Sequence, residues 1–260
     1  MIDRLGLYHA IFTDPARVDM PRPELGTWKA AYDCLAYLAD TKTPGSIYQT
    51  LVRTDEAGYF AWALAAVAPW EQLCDPADSN PSRKVLPLAT LAAREGIKAS
   101  NKLCDVIRDA HRHRGEILEL KEAVRRREGG IHERDRWGLA IRAWDAGTGH
   151  WRLHVLYALL VECLVSSTAK DGPARDVALG GWQQLLDHLE GIDVMEAPNI
   201  KRLVDGRQLS SALGVKPGKW MTKALDVALA WQLRNPGVTD AALAVDEVRQ
   251  RREELGIPMA

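Results

Sequence analysis

The stretch Leu213–Trp220, "LGVKPGKW", gathers the side chains best suited to meet an anion. Lys216 and Lys219 flank Pro217 and Gly218, with Gly214 just before them. Pro217 suits the first turn of a helix, where its missing amide hydrogen costs nothing, and Gly214 and Gly218 let the backbone open and approach another surface. A helix starting there would turn unpaired amides and the positive end of its dipole toward the same point. The chemistry this predicts is a grip on a phosphate backbone, read by shape and charge without base specificity. Arg207 lies upstream as a further cation, and Trp220, one residue past Lys219, would pack under the turn or stack on RNA. The plainer reading is a tight helix–helix turn with incidental lysines.

A second set of cations is less specific. Arg108, Arg112 and Arg114, then Arg125, Arg126 and Arg127, concentrate guanidinium groups on one helical stretch, but Glu116, Glu119, Glu122 and Glu128 dilute them. Two readings follow: a solvated face laced with ion pairs, or a phosphate-contacting surface. The choice turns on whether the arginines of 112–127 share a face with Arg207, Lys216 and Lys219, which periodicity does not decide across domains.

Other chemistries find little support. His111 and His113 are two residues apart, about 200° apart on a helix, so they do not converge on one ion. His132 precedes Glu133 without completing a His-Glu-x-x-His pattern, and no Gly-x-Ser-x-Gly elbow or P-loop occurs. "REGGIHERD", Arg127–Asp135, has the ingredients of a phosphate-gripping loop, but it follows a helix and no Asp-x-Asp pair exists to seat two metal ions. It is read as a helix–helix connection. No catalytic residue and no metal ligand is assigned.

Those candidates must be positioned by helices. Apolar residues recur at helical spacing along most of the 260 residues, and strand-like alternation is almost absent, so the expected class is all-α, a multi-helix bundle with a small C-terminal helical domain. Thr27 is a candidate cap for a helix bearing Trp28, Ala31, Tyr32, Leu35 and Leu38 on one face. A helix around Gly58–Trp70 is apolar on nearly every side and is expected to be central. A long helix over Lys98–Arg127 has Gly115 as a candidate kink, and the last helix has Thr239 as its candidate cap. "CDPADSNPSRK", Cys74–Lys84, reads as a loop. "GIDVMEAPNIKRLVDG" reads as a linker, so a boundary is placed near Glu196, with a larger domain over 1–195 and a tail over 196–260.

With 34 basic and 35 acidic side chains the net charge is near zero, so a nucleic-acid partner would need a local basic patch. Cys34, Cys74, Cys104 and Cys163 have no paired spacing and read as buried reduced thiols, which suits an intracellular protein. No apolar run is long enough to span a bilayer, and the first residues lack an export-signal layout.

The residues from Leu203 to Pro236 resemble the C-terminal segment of tRNA nucleotidyltransferases, the CCA-adding enzymes of the poly(A) polymerase type, and most closely the fungal ones. Asp-Gly-x-x-Leu, Leu-Gly-x-x-Pro-Gly, Trp and Trp-Gln-Leu-x-Asn-Pro stand in that family's order. "LGLYHAIFTDP" is similar to the late neck of those enzymes, and Gly138–Trp151 with the following apolar helix to their body. Two positions depart from the pattern: Lys219 follows Pro-Gly where the family usually has Pro, and Thr222 stands where it often has Gly.

The family's N-terminal head, with its metal-binding carboxylates, and the neck motif Glu-Asp-x-x-Arg, which selects CTP or ATP, have no counterpart here. The resemblance therefore implies that Met1 begins inside the neck and that this chain binds tRNA and positions its acceptor end for a catalytic head elsewhere. Arg207, Lys216, Gly218, Lys219, Trp220, Arg112, Arg114, Arg125, Arg126 and Arg127 are the candidate RNA contacts. Magnesium, CTP and ATP would belong to the head, the chain alone would be inactive, and the compartment would be mitochondrial, nuclear or cytoplasmic. A helical interaction protein without RNA affinity is the alternative.

Overall fold

Thr54, Ser100, Asp205 and Asp240 each end an extended segment and accept an amide of the turn that follows, from Ala57, Leu103, Gln208 and Ala242 at 2.8–3.3 Å. Four helices therefore begin where the sequence supplies an acceptor for an otherwise orphaned N–H. The structure, a computed structural model, describes residues 2, 4–17, 20–73, 86–165 and 172–258. Among these, regular structure is helical, without a strand. The expected loop at Cys74–Lys84 lies outside the described residues. The chain forms two units: Met1–Glu128 with Trp144–His188, and Gly129–Ala143 with Leu189–Ala260.

The first unit contains α1 (Tyr8–Ile11), α2 (Leu25–Asp40), α3 (Ile47–Leu51) and α4 (Asp55–Val67), which runs into a 3-10 turn over Ala68–Gln72. Next come α5 (Leu88–Leu91), a π turn over Ala92–Gly96, and α6 (Asn101–Arg126). Beyond α7 (Arg134–Asp145), α8 (Trp151–Val165) and most of α9 (Gly172–Gly191) complete the unit.

Its centre is α8, which packs against α2, α3, α4 and α6 and buries Leu153 through Val161 without a break. A helix buried all round needs apolar residues all round, and α8 has them. This corrects the expected placement of α4 at the centre. That helix buries Phe60, Ala61 and Leu64 but leaves Tyr59 63% exposed, so one of its faces meets water. Two further expectations shift. The first long helix starts two residues before Thr27 with Glu24 at its N-cap, and α6 runs unbroken through Gly115.

Charged side chains inside the first unit are paired, as burial requires. The Glu71 carboxylate, 2% exposed, is met by His111 Nδ1 at 2.8 Å, by Arg114 Nε at 3.0 Å and by the Tyr157 hydroxyl at 3.1 Å. Burial pushes this carboxyl up, but the His111 hydrogen bond, the charges of His111 and Arg114, and the Tyr157 hydroxyl outweigh it and hold it below its ordinary value. Two turns further along α6, Lys121 pairs with Glu162 at 2.6 Å, and Trp182 Nε1 donates to the same carboxylate at 2.5 Å.

Two backbone segments far apart in sequence meet at Gly96. A Cβ there would lie 2.3 Å from the Ile11 carbonyl oxygen and 3.0 Å from Phe12 Cα, both backbone atoms that do not swing aside. Gly96→Ala is therefore expected to cost about 3 kcal/mol of stability, seen as a lower urea midpoint. An unchanged midpoint would mean that the contact between the π turn and the end of α1 is not held in solution.

Candidate nucleic-acid interface

The second unit contains Arg134–Ala143 of α7, a 3-10 turn over Ala197–Asn199, α10 (Gly206–Leu213), α11 (Met221–Arg234) and α12 (Ala241–Gln250). The last helix takes Asp240 as its cap, one residue beyond the expected Thr239. Val204, Leu209, Leu213, Trp220, Ala224, Ala228, Ala244, Val245, Val248 and Ile257 form one buried cluster among α10, α11 and α12. Leu209 and Leu213, then Ala224 and Ala228, stand at i,i+4, so each helix turns one stripe inward and leaves its charged residues outside.

The basic turn sits on this cluster. Helix α10 opens with a capping box: the Asp205 carboxylate accepts the Gln208 amide at 2.8 Å, and the Gln208 side chain accepts the Asp205 amide at 2.9 Å. It ends at Gly214 in the left-handed region, φ +66°, with the Gly214 and Val215 amides returned to the Ser211 and Ser210 carbonyls. Ser210 Oγ donates to the Val215 carbonyl, which ties the departing chain to the helix.

Residues 215–218 then run without regular structure, and α11 begins only at Met221. Pro217 is thus four residues ahead of the helix, which corrects its expected place in the first turn. Helix α11 starts with no side-chain cap, and its first amide, that of Met221, donates to the Gly218 carbonyl at 3.0 Å.

Gly218 matters through contact rather than through a left-handed angle. A Cβ there would lie 3.2 Å from Cδ1 and Nε1 of Trp220, so the bare backbone lies against the edge of the indole. Trp220 itself is 6% exposed within the apolar cluster. Of its two expected placements, the structure adopts packing under the turn.

Arg207, Lys216, Lys219 and Lys223 are exposed, and among the described residues no carboxylate pairs with them. From Lys201 to Lys223 the sequence holds six cations and one carboxylate, Asp205, whose oxygen is already used as the α10 cap. The first turns of α10 and α11 are neighbours, since a Cβ on Gly206 would lie 3.6 Å from Met221 Sδ. Arg207 is one residue and Lys223 two residues from that contact, and Lys216 and Lys219 lie on the chain between the two helices.

Two residues to which the sequence analysis gave no such role hold the entry to this segment. Arg142 Nη1 donates to the carbonyls of Ala197 at 2.6 Å and Ile200 at 2.8 Å, fixing the turn ahead of Lys201. Gln232 brackets the next residues: its Nε2 donates to the Lys201 carbonyl at 2.8 Å and its Oε1 accepts the Leu203 amide at 3.1 Å. Nothing in the local pattern around Arg142 announces this role, because its acceptors are more than fifty residues away.

The α6 arginines belong to the first unit and are engaged differently. Arg112 pairs with Asp109 at 3.3 Å, Arg114 with the buried Glu71, Arg125 with Glu122 at 2.7 Å, and Arg126 with Glu122 and Glu128 at 3.7 and 3.8 Å. Arg127 ends the helix in the left-handed region, φ +53°. Of the two readings, the ion-pair-laced face describes Arg112, Arg114, Arg125 and Arg126. Among the described residues no three His, Cys, Asp or Glu side chains come together in a way that could hold a metal ion. No helix among them is long and apolar enough to cross a membrane.

The chain has relatives of known name. It is 47% identical over its whole length to the nucleotidyltransferase LcsQ of Purpureocillium lilacinum, spanning 49% of that protein. It is 26% identical over 70% of its length to tRNA nucleotidyltransferase cca1 of Schizosaccharomyces pombe, spanning 34% of it. Against the mitochondrial CCA tRNA nucleotidyltransferase of Saccharomyces cerevisiae it is 25% identical over 63% of its length, spanning 30% of that enzyme. The chain thus spans about half the length of the first relative and about a third of the other two. No family model and no solved structure matches it. By these relationships the chain is a homologue of the nucleotidyltransferases, fungal CCA tRNA nucleotidyltransferases among them.

Proposed function

We propose that this chain is the tRNA-binding C-terminal portion of a CCA-adding nucleotidyltransferase, which positions the tRNA acceptor end for a catalytic head that the chain does not itself contain. The observation that carries the reading is the set of unpaired cations, Arg207, Lys216, Lys219 and Lys223, around the uncapped start of α11, on a segment in line with the tRNA nucleotidyltransferase pattern. Four cations match the spaced negative charge of an RNA backbone, and a turn seated on buried Trp220 loses little freedom when it meets one. Orienting the acceptor end removes translational and rotational entropy from the transfer step, a catalytic contribution made without a reacting group. Magnesium, CTP and ATP are assigned to the head, and to this chain only the RNA.

The test is the affinity of the chain for a tRNA lacking its CCA end, at two salt concentrations. Micromolar binding that falls steeply with salt is expected. Lys216→Ala/Lys219→Ala is expected to weaken it about tenfold and to flatten the salt dependence by about two phosphate contacts. Equal affinity of wild type and double variant would remove the turn from the contact. Absence of binding by a chain with intact helical circular dichroism would favour the interaction-protein alternative, and incorporation of CTP or ATP by the chain alone would overturn the division of labour.

A further inference from the structure

Cys34 on α2 and Cys163 on α8 are 129 positions apart in sequence, and their sulfurs stand 3.1 Å apart. Both side chains are buried, at 2% and 4% exposure, where two of the helices that build the first unit's core pack against each other. The pair stands as thiols sharing one hydrogen bond, with either sulfur able to donate. A disulfide needs an S–S distance of about 2.05 Å, so the sulfurs must close by about 1 Å. Sequence spacing hides the pairing, because the two residues meet only when α2 is laid along α8. The third described cysteine, Cys104, is different: its sulfur faces the Ala99 carbonyl at 3.8 Å.

We infer that Cys34 and Cys163 are a site of covalent modification, an oxidisable pair that takes up an intramolecular disulfide and ties α2 to α8. With glutathione disulfide as oxidant the step balances. One cysteine loses its proton and its thiolate displaces one glutathione, forming a mixed disulfide. The second thiolate then attacks the protein sulfur of that bond and releases the second glutathione. Two electrons and two protons leave the protein pair, and two reduced glutathiones carry them away. Burial keeps the thiols from the oxidant in the closed structure, so formation requires local opening, and the same burial then protects the finished bond. The long loop between the two residues means that the cross-link restricts the unfolded chain strongly.

The experiment uses the full chain carrying Cys74→Ser/Cys104→Ser, held with glutathione disulfide in urea just below its unfolding midpoint so that burial does not withhold the thiols. Expected are loss of both alkylatable thiols, a monomeric product, a Cys34–Cys163 linked peptide by mass spectrometry, and a Tm raised by roughly 10 °C that dithiothreitol reverses. The same treatment of the unsubstituted chain should give the same linked peptide, which guards against a folding defect in the double variant. Two thiols still alkylatable, stable glutathione adducts on each, or bridges only between chains would overturn the inference. None of these readouts involves RNA, so the result stands apart from the tRNA-binding reading.

Discussion

Trp220→Ala is expected to destabilise the second unit by about 3–5 kcal/mol, the usual cost of deleting a buried aromatic side chain. The indole is 6% exposed, fills the space between α10, α11 and α12, and gives Gly218 the surface on which the basic turn rests. Its removal leaves a cavity that the short helices α10 and α12 close only by shifting, and the turn loses its floor. Lower stability by urea unfolding and weaker tRNA binding should therefore appear together. Trp220→Phe, which keeps an aromatic body in the cluster, should recover most of both. The contrast is with a base-stacking tryptophan, whose loss would weaken RNA binding while leaving the unfolding curve in place. That second pattern would refute the packing role.

The second large effect is on acid stability. His154 on α8 is fully buried, stacks on His113 with ring centroids 5.6 Å apart, and has only a 3.4 Å contact from Nε2 to the Thr148 hydroxyl. Its Nδ1 is buried without a hydrogen-bond partner. Burial first, and then the neighbouring charges of His113, His150 and Arg112, drive its pKa down to about 3. The folded state thus holds His154 neutral while the unfolded state protonates it near its ordinary value of 6.5.

Above that value neither state carries the extra proton and the stability is complete. As pH falls from 6.5 toward 3 the unfolded chain binds a proton that the folded chain does not, and stability drops by several kcal/mol. His154→Leu, close in volume and unable to titrate, is expected to remove this share of the slope at little cost near neutral pH. Urea midpoints measured from pH 7 to pH 4 check it. Parallel slopes for wild type and variant would show that His154 does not stay neutral in the fold. His113 and His150 are also lowered, chiefly by burial, and leave a residual slope over the same range. Glu71 adds to it only in the more acid part, since a carboxyl held under its ordinary value of 4.5 loses its contribution as pH drops from that value downward.

Much of the fold is legible in the chain because helices are local objects. The apolar spacing around Leu103, Ile107, Ala110 and Ile117 marks α6, and Thr54, Ser100, Asp205 and Asp240 begin helices through hydrogen bonds that span two or three residues. Even so, two helix starts fall away from the expected residue. Asp240 caps in place of its neighbour Thr239, as the stronger acceptor of the two, and α2 begins before Thr27 without a side-chain cap.

The basic turn follows the same division. Its composition, lysines and glycines around one proline, was enough to single it out, and the order of motifs from Leu203 to Pro236 around it carries the resemblance to tRNA nucleotidyltransferases. The sequence by itself determined the helical class, the cation-rich segment from Lys201 to Lys223, and the balance of acids and bases that made the α6 arginines ambiguous. Only the tertiary structure placed Trp220 under the turn, handed Arg114 to buried Glu71, set Arg142 on carbonyls more than fifty residues away, joined Gly129–Ala143 to the C-terminal residues, and brought Cys34 to Cys163. The reason is range: caps and stripes are decided within a few residues of chain, whereas a buried carboxylate or a thiol finds its partner only after distant helices have been packed together.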